Sequence, residues 1–266
     1  MRLEIENAAF SYDGVNPIFS DINFVVESYQ VFCLLGPNGT GKSTLIQCLN
    51  RMLPLAKGVI RIDGKDIDLL SRQKIAQKIA YVPQSHVPAF PFSVLQVVLM
   101  GRTPHLGFLS APSKQDILLA EQAMDSLEIL YLRDKCYTEI SGGERQLVLL
   151  AAALAQEAEF LILDEPTSHL DFGNQIRLLN IVYRLAKKGM AIIMSTHFPD
   201  HALMTASRVA IMQNGQISNI GLPEKVITEK TIYDTYGMEV AIGSVKGNEG
   251  MITCVPREQK MTKTFG

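Results

Sequence analysis

Apolar and polar positions change their period several times along this chain, and each change predicts an element. Residues 2–6 alternate and residues 22–26 are rich in apolar side chains, so both predict short strands. Val31–Leu35 is a continuous apolar run of strand type, followed by Leu45, Ile46, Leu49 and Met52 at helical spacing. Residues 59–63 predict another strand, closed by the turn pair Asp63-Gly64, and Ile79–Val82 resumes the strand pattern up to Pro83-Gln84. From about residue 85 to 158 the texture is helical. Residues 93–100 form an apolar helix candidate, residues 113–130 an amphipathic one, and a third helix starts at Ser141. Residues 160–164 return to a fully apolar strand of the kind buried in a parallel sheet. Leu178, Ile181, Val182 and Leu185 then predict a helix over 175–188, and 191–194 the next buried strand. Residues 209–212 and 217–220, joined through Asn214-Gly215, predict a hairpin. The pattern after 237 is mixed and fits a strand or two or a partly disordered tail. Strands alternating with helices in this order indicate an α/β fold around a mostly parallel sheet, with the helical middle inserted as a subdomain.

The first chemistry falls where a predicted strand meets a helix. Gly36, Pro37, Asn38, Gly39, Thr40, Gly41, Lys42 and Ser43, followed by Thr44, fit the phosphate-cradling spacing G-x-x-x-x-G-K-[ST]. A strand–glycine loop–helix unit turns backbone N–H groups and a helix N-terminus toward one point. Lys42 is then placed to reach the β- and γ-phosphates of a nucleoside triphosphate, and Ser43 to hold Mg²⁺. Asp164 ends the apolar strand at 160–164 and suits the Mg²⁺ hydration shell. Glu165 follows, where it can polarise an attacking water. Two adjacent carboxylates ending a buried strand have little reason to be there without a cation or a reaction. Ser141 and Glu144 have the spacing of a capping box. Gly142 and Gly143 in that first helical turn cost about 1 kcal/mol each relative to alanine, which makes sense where the backbone must approach another molecule.

Composition narrows the classes. The 266 residues suffice for one large α/β domain, and 47% apolar content argues for a packed core. A net charge of −2, from 25 basic and 27 acidic residues, gives no electrostatic case for nucleic acid. Cys33, Cys48, Cys136 and Cys254 are widely separated, which argues against a zinc site or a disulfide framework and suits a reducing compartment. The N-terminal residues lack the apolar core of a signal peptide. The longest apolar run, 147–155, is far short of the roughly 20 residues a membrane-spanning helix needs.

Taken with the phosphate loop upstream and Leu163-Asp164-Glu165-Pro166 downstream, Ser141-Gly142-Gly143-Glu144-Arg145-Gln146 strongly resembles the signature of the ATPase subunits of ABC transporters. The resemblance covers roughly residues 1–240, with a helical subdomain at about 85–158 and a tail at 241–266. It implies a P-loop NTPase core with N-terminal antiparallel strands, ATP and Mg²⁺ as ligands, and ATP hydrolysis coupled to transport. It places Tyr12 on the adenine, a position that otherwise reads as a core-packing strand tyrosine. It puts Gln84 at the Mg²⁺ or its water, linking the site to a membrane subunit. It assigns residues 168–171 to a contact with a partner ATPase subunit, and His197 to the γ-phosphate. The family mechanism implies a head-to-tail homodimer in which Ser141, Gly142 and Gly143 of one copy close over ATP on the loop of the other.

Two positions depart from the pattern: Ile140 stands for the common leucine, and Phe198 follows His197 where many relatives carry Asp, which puts the support of His197 in doubt. His169 reads as structural, and His86, His105 and His201 as surface or packing positions without ligand spacing. The region 85–110 is where the family docks its multi-spanning permease, and docking is favoured over the alternative that Phe90 and Phe92 pack into their own subdomain. The wording of this stretch and of residues 166–174 resembles importers for iron–siderophore, haem and cobalamin. That implies a peripheral protein on the cytoplasmic face of the membrane, served indirectly by a substrate-binding protein. A soluble ABC-type ATPase is the alternative, but it usually carries two ATPase units or a long coiled-coil insertion. A P-loop kinase or GTPase lacks the segment 141–146, and no guanine-reading Asn-Lys-x-Asp is present.

Overall fold

The computed structural model describes residues 1–84, 90–107, 110–168, 170–245 and 248–257. The alternating N-terminus forms β1 (Arg2–Phe10) and β2 (Phe19–Glu27), followed by β3 (Val31–Leu35) and, past the glycine loop, α1 (Lys42–Leu49). β4 (Lys57–Ile62) and β5 (Lys65–Asp66) complete a four-stranded antiparallel sheet in the order β2-β1-β4-β5. Next come α2 (Arg72–Lys78) and β6 (Ile79–Val82), then the helical segment with α3 (Val94–Leu99), α4 (Lys114–Ser126) and α5 (Gly142–Ala155). The chain returns through β7 (Phe160–Leu163), α6 (Phe172–Lys187), β8 (Ala191–Thr196), α7 (Pro199–Thr205), β9 (Arg208–Gln213) and β10 (Gln216–Gly221). It continues with α8 (Pro223–Val226), α9 (Glu229–Tyr236), β11 (Val240–Val245) and β12 (Asn248–Pro256).

The second sheet has the order β10-β9-β3-β8-β7-β6, all parallel except β10. Its inner strands β3 and β7 are apolar throughout, and β8 is apolar up to Ser195, because both faces are covered. Val31, Cys33 and Leu35 of β3 enter the core shared with α3–α7, whereas Phe32 and Leu34 face α1 and the antiparallel sheet. β7 and β8 divide in the same way: Leu161, Leu163, Ile192 and Met194 on one side, Phe160, Ile162, Ala191 and Ile193 on the other. The strand period of two thus separates two cores with one sheet.

Serine caps start the helices of the middle segment. Ser93, Ser113 and Ser141 each accept a backbone N–H three residues on, and Gln96, Asp116 and Glu144 reach back to complete capping boxes. A 3₁₀ turn at Met100–His105 packs on the far end of α5, where a side chain at Gly101 would strike the Ala152 carbonyl. Beside it the buried Arg102 donates to Asp116 Oδ1 (3.0 Å), the Ala155 carbonyl (2.7 Å) and Glu157 Oε2 (2.8 Å).

Several boundaries differ from the sequence pattern. α1 ends at Leu49, so Met52 lies past it and is exposed. α4 stops at Ser126 and residues 130–132 form a separate 3₁₀ turn, while α6 begins at Phe172, capped by Asp171. The tail pairs as an antiparallel β11–β12 hairpin docked on α7: Asp200 Oδ1 accepts from Thr253 Oγ1 (3.0 Å) and the Cys254 N–H (2.8 Å). Residues 258–266, His86, His169 and the parts of the 85–110 segment at 85–89, 108 and 109 lie outside the described residues. Among the described residues no helix is long and apolar enough to cross a membrane.

Candidate functional site

Four adjacent parallel strands deliver the candidate residues to one edge of the sheet. β3 runs into Gly36, β8 into His197, β7 into Asp164 and Glu165, and β6 toward Gln84. The Gly36 N–H bonds the Thr196 carbonyl (3.3 Å), and the Asp164 N–H bonds that of Val82 (3.0 Å), so the strand ends are tied across the sheet. Ligands of open α/β sheets bind outside such carboxyl ends.

The glycine loop is shaped by its neighbours. A Cβ at Gly36 would collide with the Met212 carbonyl of β9. Gly41 caps α1 with φ of 98°, a left-handed conformation, and offers no side-chain oxygen to the helix N-terminus. Lys42 is 4% exposed, its Nζ bonded to the carbonyls of Gly36 (2.8 Å) and Pro37 (2.9 Å) and 3.4 Å from Glu165 Oε1. A buried ammonium held beside an uncapped helix N-terminus is an anion-binding arrangement.

The carboxylates form one network with it. Ser43 Oγ donates to Asp164 Oδ1 (3.1 Å), and so does Ser195 Oγ (2.6 Å), which in turn accepts the Glu165 N–H (2.8 Å). Burial pushes the Asp164 carboxyl above its ordinary range, opposed by the Ser195 and Ser43 hydrogen bonds. Glu165 has φ of 43°, a strained conformation for a non-glycine residue. Its Oε2 lies 3.1 Å from His197 Nδ1 and accepts from Gln84 Nε2 (3.3 Å). Phe198, the departure noted in the sequence, packs its ring against His197 with centroids 4.0 Å apart.

Ile18, Asn38, Gly39, Gly41, Lys42, Ser43, Thr44, Gln84 and Glu165 line a cleft of about 380 Å³ at this point. The larger cavities lie elsewhere, one of about 660 Å³ between α2 and the Met100–His105 turn. Tyr12 is exposed rather than in the core, its ring edge-on to Phe10 (4.8 Å) and its hydroxyl 3.4 Å from Thr44 Oγ1. Ser141, Gly142 and Gly143 are not among the residues lining the cleft. At Gly142 a Cβ would meet nothing within 4 Å, so nothing described in this chain demands glycine there. Sequence reasoning missed Ser195, and it set aside His201, which is buried with Nδ1 3.1 Å from Thr167 Oγ1. Both contacts join residues some thirty positions apart, and only the position of Ser195 beside the strand end hinted at it.

Comparison with known proteins agrees with this geometry. The family described as ABC transporter matches residues 19–168. An ABC transporter ATP-binding protein of Haemophilus influenzae is 44% identical over 212 residues, 80% of each chain. A cobalamin import ATP-binding protein of Halobacterium salinarum is 35% identical over 257 residues, 96% of this chain and 64% of that one. A molybdate import ATP-binding protein of H. influenzae and a hemin import ATP-binding protein of Streptomyces coelicolor are each 35% identical over 86% of this chain, covering 86% and 81% of those proteins. A solved transporter assigned to the metal-chelate type, in an inward-facing conformation, superposes with a TM-score of 0.85 at 30% identity, covering 97% of this chain and 98% of that one. With its phosphate loop, paired carboxylates and capped glycine helix, the chain belongs to the ABC transporter family, among the ATP-binding subunits that hydrolyse ATP.

Proposed function

We propose that this chain powers a binding-protein-dependent importer as a homodimer, attached to the cytoplasmic face of the membrane through a multi-spanning permease. The observation that carries the catalytic part is that Lys42, Ser43, Gln84 and Glu165 line one cleft at the sheet edge, with Asp164 bonded to Ser43 and His197 to Glu165 directly behind them. The residues of the glycine loop, 36–44, surround the triphosphate, with Lys42 supplying fixed positive charge to the β- and γ-phosphates. The donor set fits Mg²⁺: Ser43 Oγ and Asp164 Oδ1 are hard oxygens 3.1 Å apart, with the Gln84 amide nearby. The ion, when bound, neutralises phosphate charge. Glu165 takes the proton of the attacking water, and His197, fixed against Glu165 and Phe198, donates toward the γ-phosphate. Tyr12, exposed beside Thr44, offers its ring to the adenine. That Ser141, Gly142 and Gly143 stay out of the cleft supports the reading in which a second copy brings its own across the nucleotide.

Residues 1–240 form the ATPase domain in this reading, with the helical insertion at about 85–158. Phe90 and Phe92 are exposed, with ring centroids 5.8 Å apart, which favours a docking role over burial in their own subdomain. For the cargo, the cobalamin and hemin relatives and the metal-chelate structure favour a metal chelate; the molybdate relative keeps an oxyanion as the competing class.

The test is Glu165→Gln. It should retain ATP binding, lose nearly all turnover, and accumulate as an ATP-bound dimer on sizing columns; wild-type turnover in that variant removes Glu165 from the role. Co-purification from membranes with a multi-spanning subunit separates a transporter from a soluble ATPase. Uptake of cobalamin, haem or ferric siderophore, against molybdate, by vesicles holding the assembly decides the cargo.

A further inference from the structure

We propose that His201 is a positioning residue for ATP hydrolysis, locking the loop that carries Glu165 to the strand end that carries His197; the inference rests on the roles given to those two residues above. His201 lies on α7, 8% exposed, with Nδ1 3.1 Å from Thr167 Oγ1 and 3.5 Å from Thr196 Oγ1. Thr167 is two residues past Glu165, and Thr196 immediately precedes His197. Both threonines are buried, so a hydroxyl that loses its partner there has no water to replace it.

The directions of the bonds are consistent. Thr196 Oγ1 accepts the Phe198 N–H (3.1 Å), which leaves its own proton free to point at Nδ1. A neutral imidazole with its proton on Nε2 has one lone pair at Nδ1, which accepts chiefly from Thr167 at 3.1 Å and shares a weaker, longer contact with Thr196 at 3.5 Å. Burial depresses the pKa of His201 and favours that neutral form.

Thr167 is itself anchored. Its carbonyl accepts the Leu170 N–H (3.2 Å) and Gln175 Nε2 (3.1 Å), so the backbone that carries its side chain is tied to the first turns of α6. On the other side, the Phe198 ring stands between the two histidines, 4.0 Å from the His197 centroid and 4.8 Å from that of His201. Phe198 therefore acts as a spacer: His201 sets the ring, and the ring sets His197. One imidazole thus fixes both groups that face the γ-phosphate, although it lines no part of the nucleotide cleft.

Steady-state ATP hydrolysis by the full chain tests this. His201→Leu should lower kcat by about tenfold or more while leaving KM for ATP unchanged, because the binding loop at 36–44 is untouched. His201→Asn places an amide where Nδ1 stood and should recover most of the lost kcat. Thr167→Val should reproduce part of the loss, and combining it with His201→Leu should cost no more than His201→Leu alone. Wild-type kcat in a folded His201→Leu protein, an Asn variant as slow as the Leu variant, or a rise in KM at constant kcat each overturns the proposal. If the Leu variant does not fold, wild-type kcat in Thr167→Val overturns it. A wild-type chain without turnover in the same assay counts instead against the reading of the site, and the proposal goes with it.

Discussion

Ser195 serves two site groups with one hydroxyl, donating to Asp164 and accepting from the backbone of Glu165. Replacing it with alanine leaves a buried carboxylate and a buried N–H short of a partner. Ser195→Ala is expected to lower stability by about 1–3 kcal/mol, read from urea unfolding; a change of a few tenths would mean that water replaces the hydroxyl. Asp116 gives a pH-dependent case. The Ser113 hydroxyl and backbone N–H, then Arg102, hold its carboxyl down at about 2. The folded value lies below the unfolded one of about 3.9, so its stabilisation is complete above that pH. It is lost as pH falls through about 2. Asp116→Asn should therefore be less stable than wild type near neutrality, with the gap closing in acid. An equal gap at pH 7 and at pH 2 contradicts this assignment.

Elements differ in how far the sequence announced them. β3, β7 and β8 were legible because burial on both faces leaves unbroken apolar runs. α2 was not, because Ile75 is its only buried residue and a seven-residue helix with one anchor has no period to detect. The phosphate loop, Asp164-Glu165 and the capping box at Ser141 were legible because the chemistry demands particular residue types at fixed spacing. Ser195 and His201 were not, because their meaning comes from strands and helices brought together by the fold. The tail strands were ambiguous for a similar reason, since their attachment runs through Asp200 on α7. Asp200→Ala should speed amide exchange across β11 and β12 while leaving β3 protected; unchanged exchange in the hairpin would show that its apolar contacts suffice.

In the whole molecule, one sheet divides two cores, and the signature end of α5 belongs to neither the cleft nor the sheet edge. Ser141→Arg should thus abolish hydrolysis yet leave ATP binding by the monomer intact, measured by nucleotide titration at dilute protein. Weakened monomer binding would place Ser141 on its own chain's nucleotide. The contact between Gly101 and Ala152, reinforced by the bond from Arg102 to the Ala155 carbonyl, has a mechanical meaning. It clamps the Met100–His105 turn to one end of α5, and the 14 residues of that helix extend about 20 Å to Ser141 at the other. α5 joins the two places as a rigid rod whose buried face packs on α3 and α4, so a displacement imposed at the turn is carried along the helix with its neighbours instead of being absorbed in a loop. In the head-to-tail arrangement proposed above, force delivered beside Gly101 would reach Ser141 and the glycines that follow it, the groups that would meet the nucleotide of a second copy.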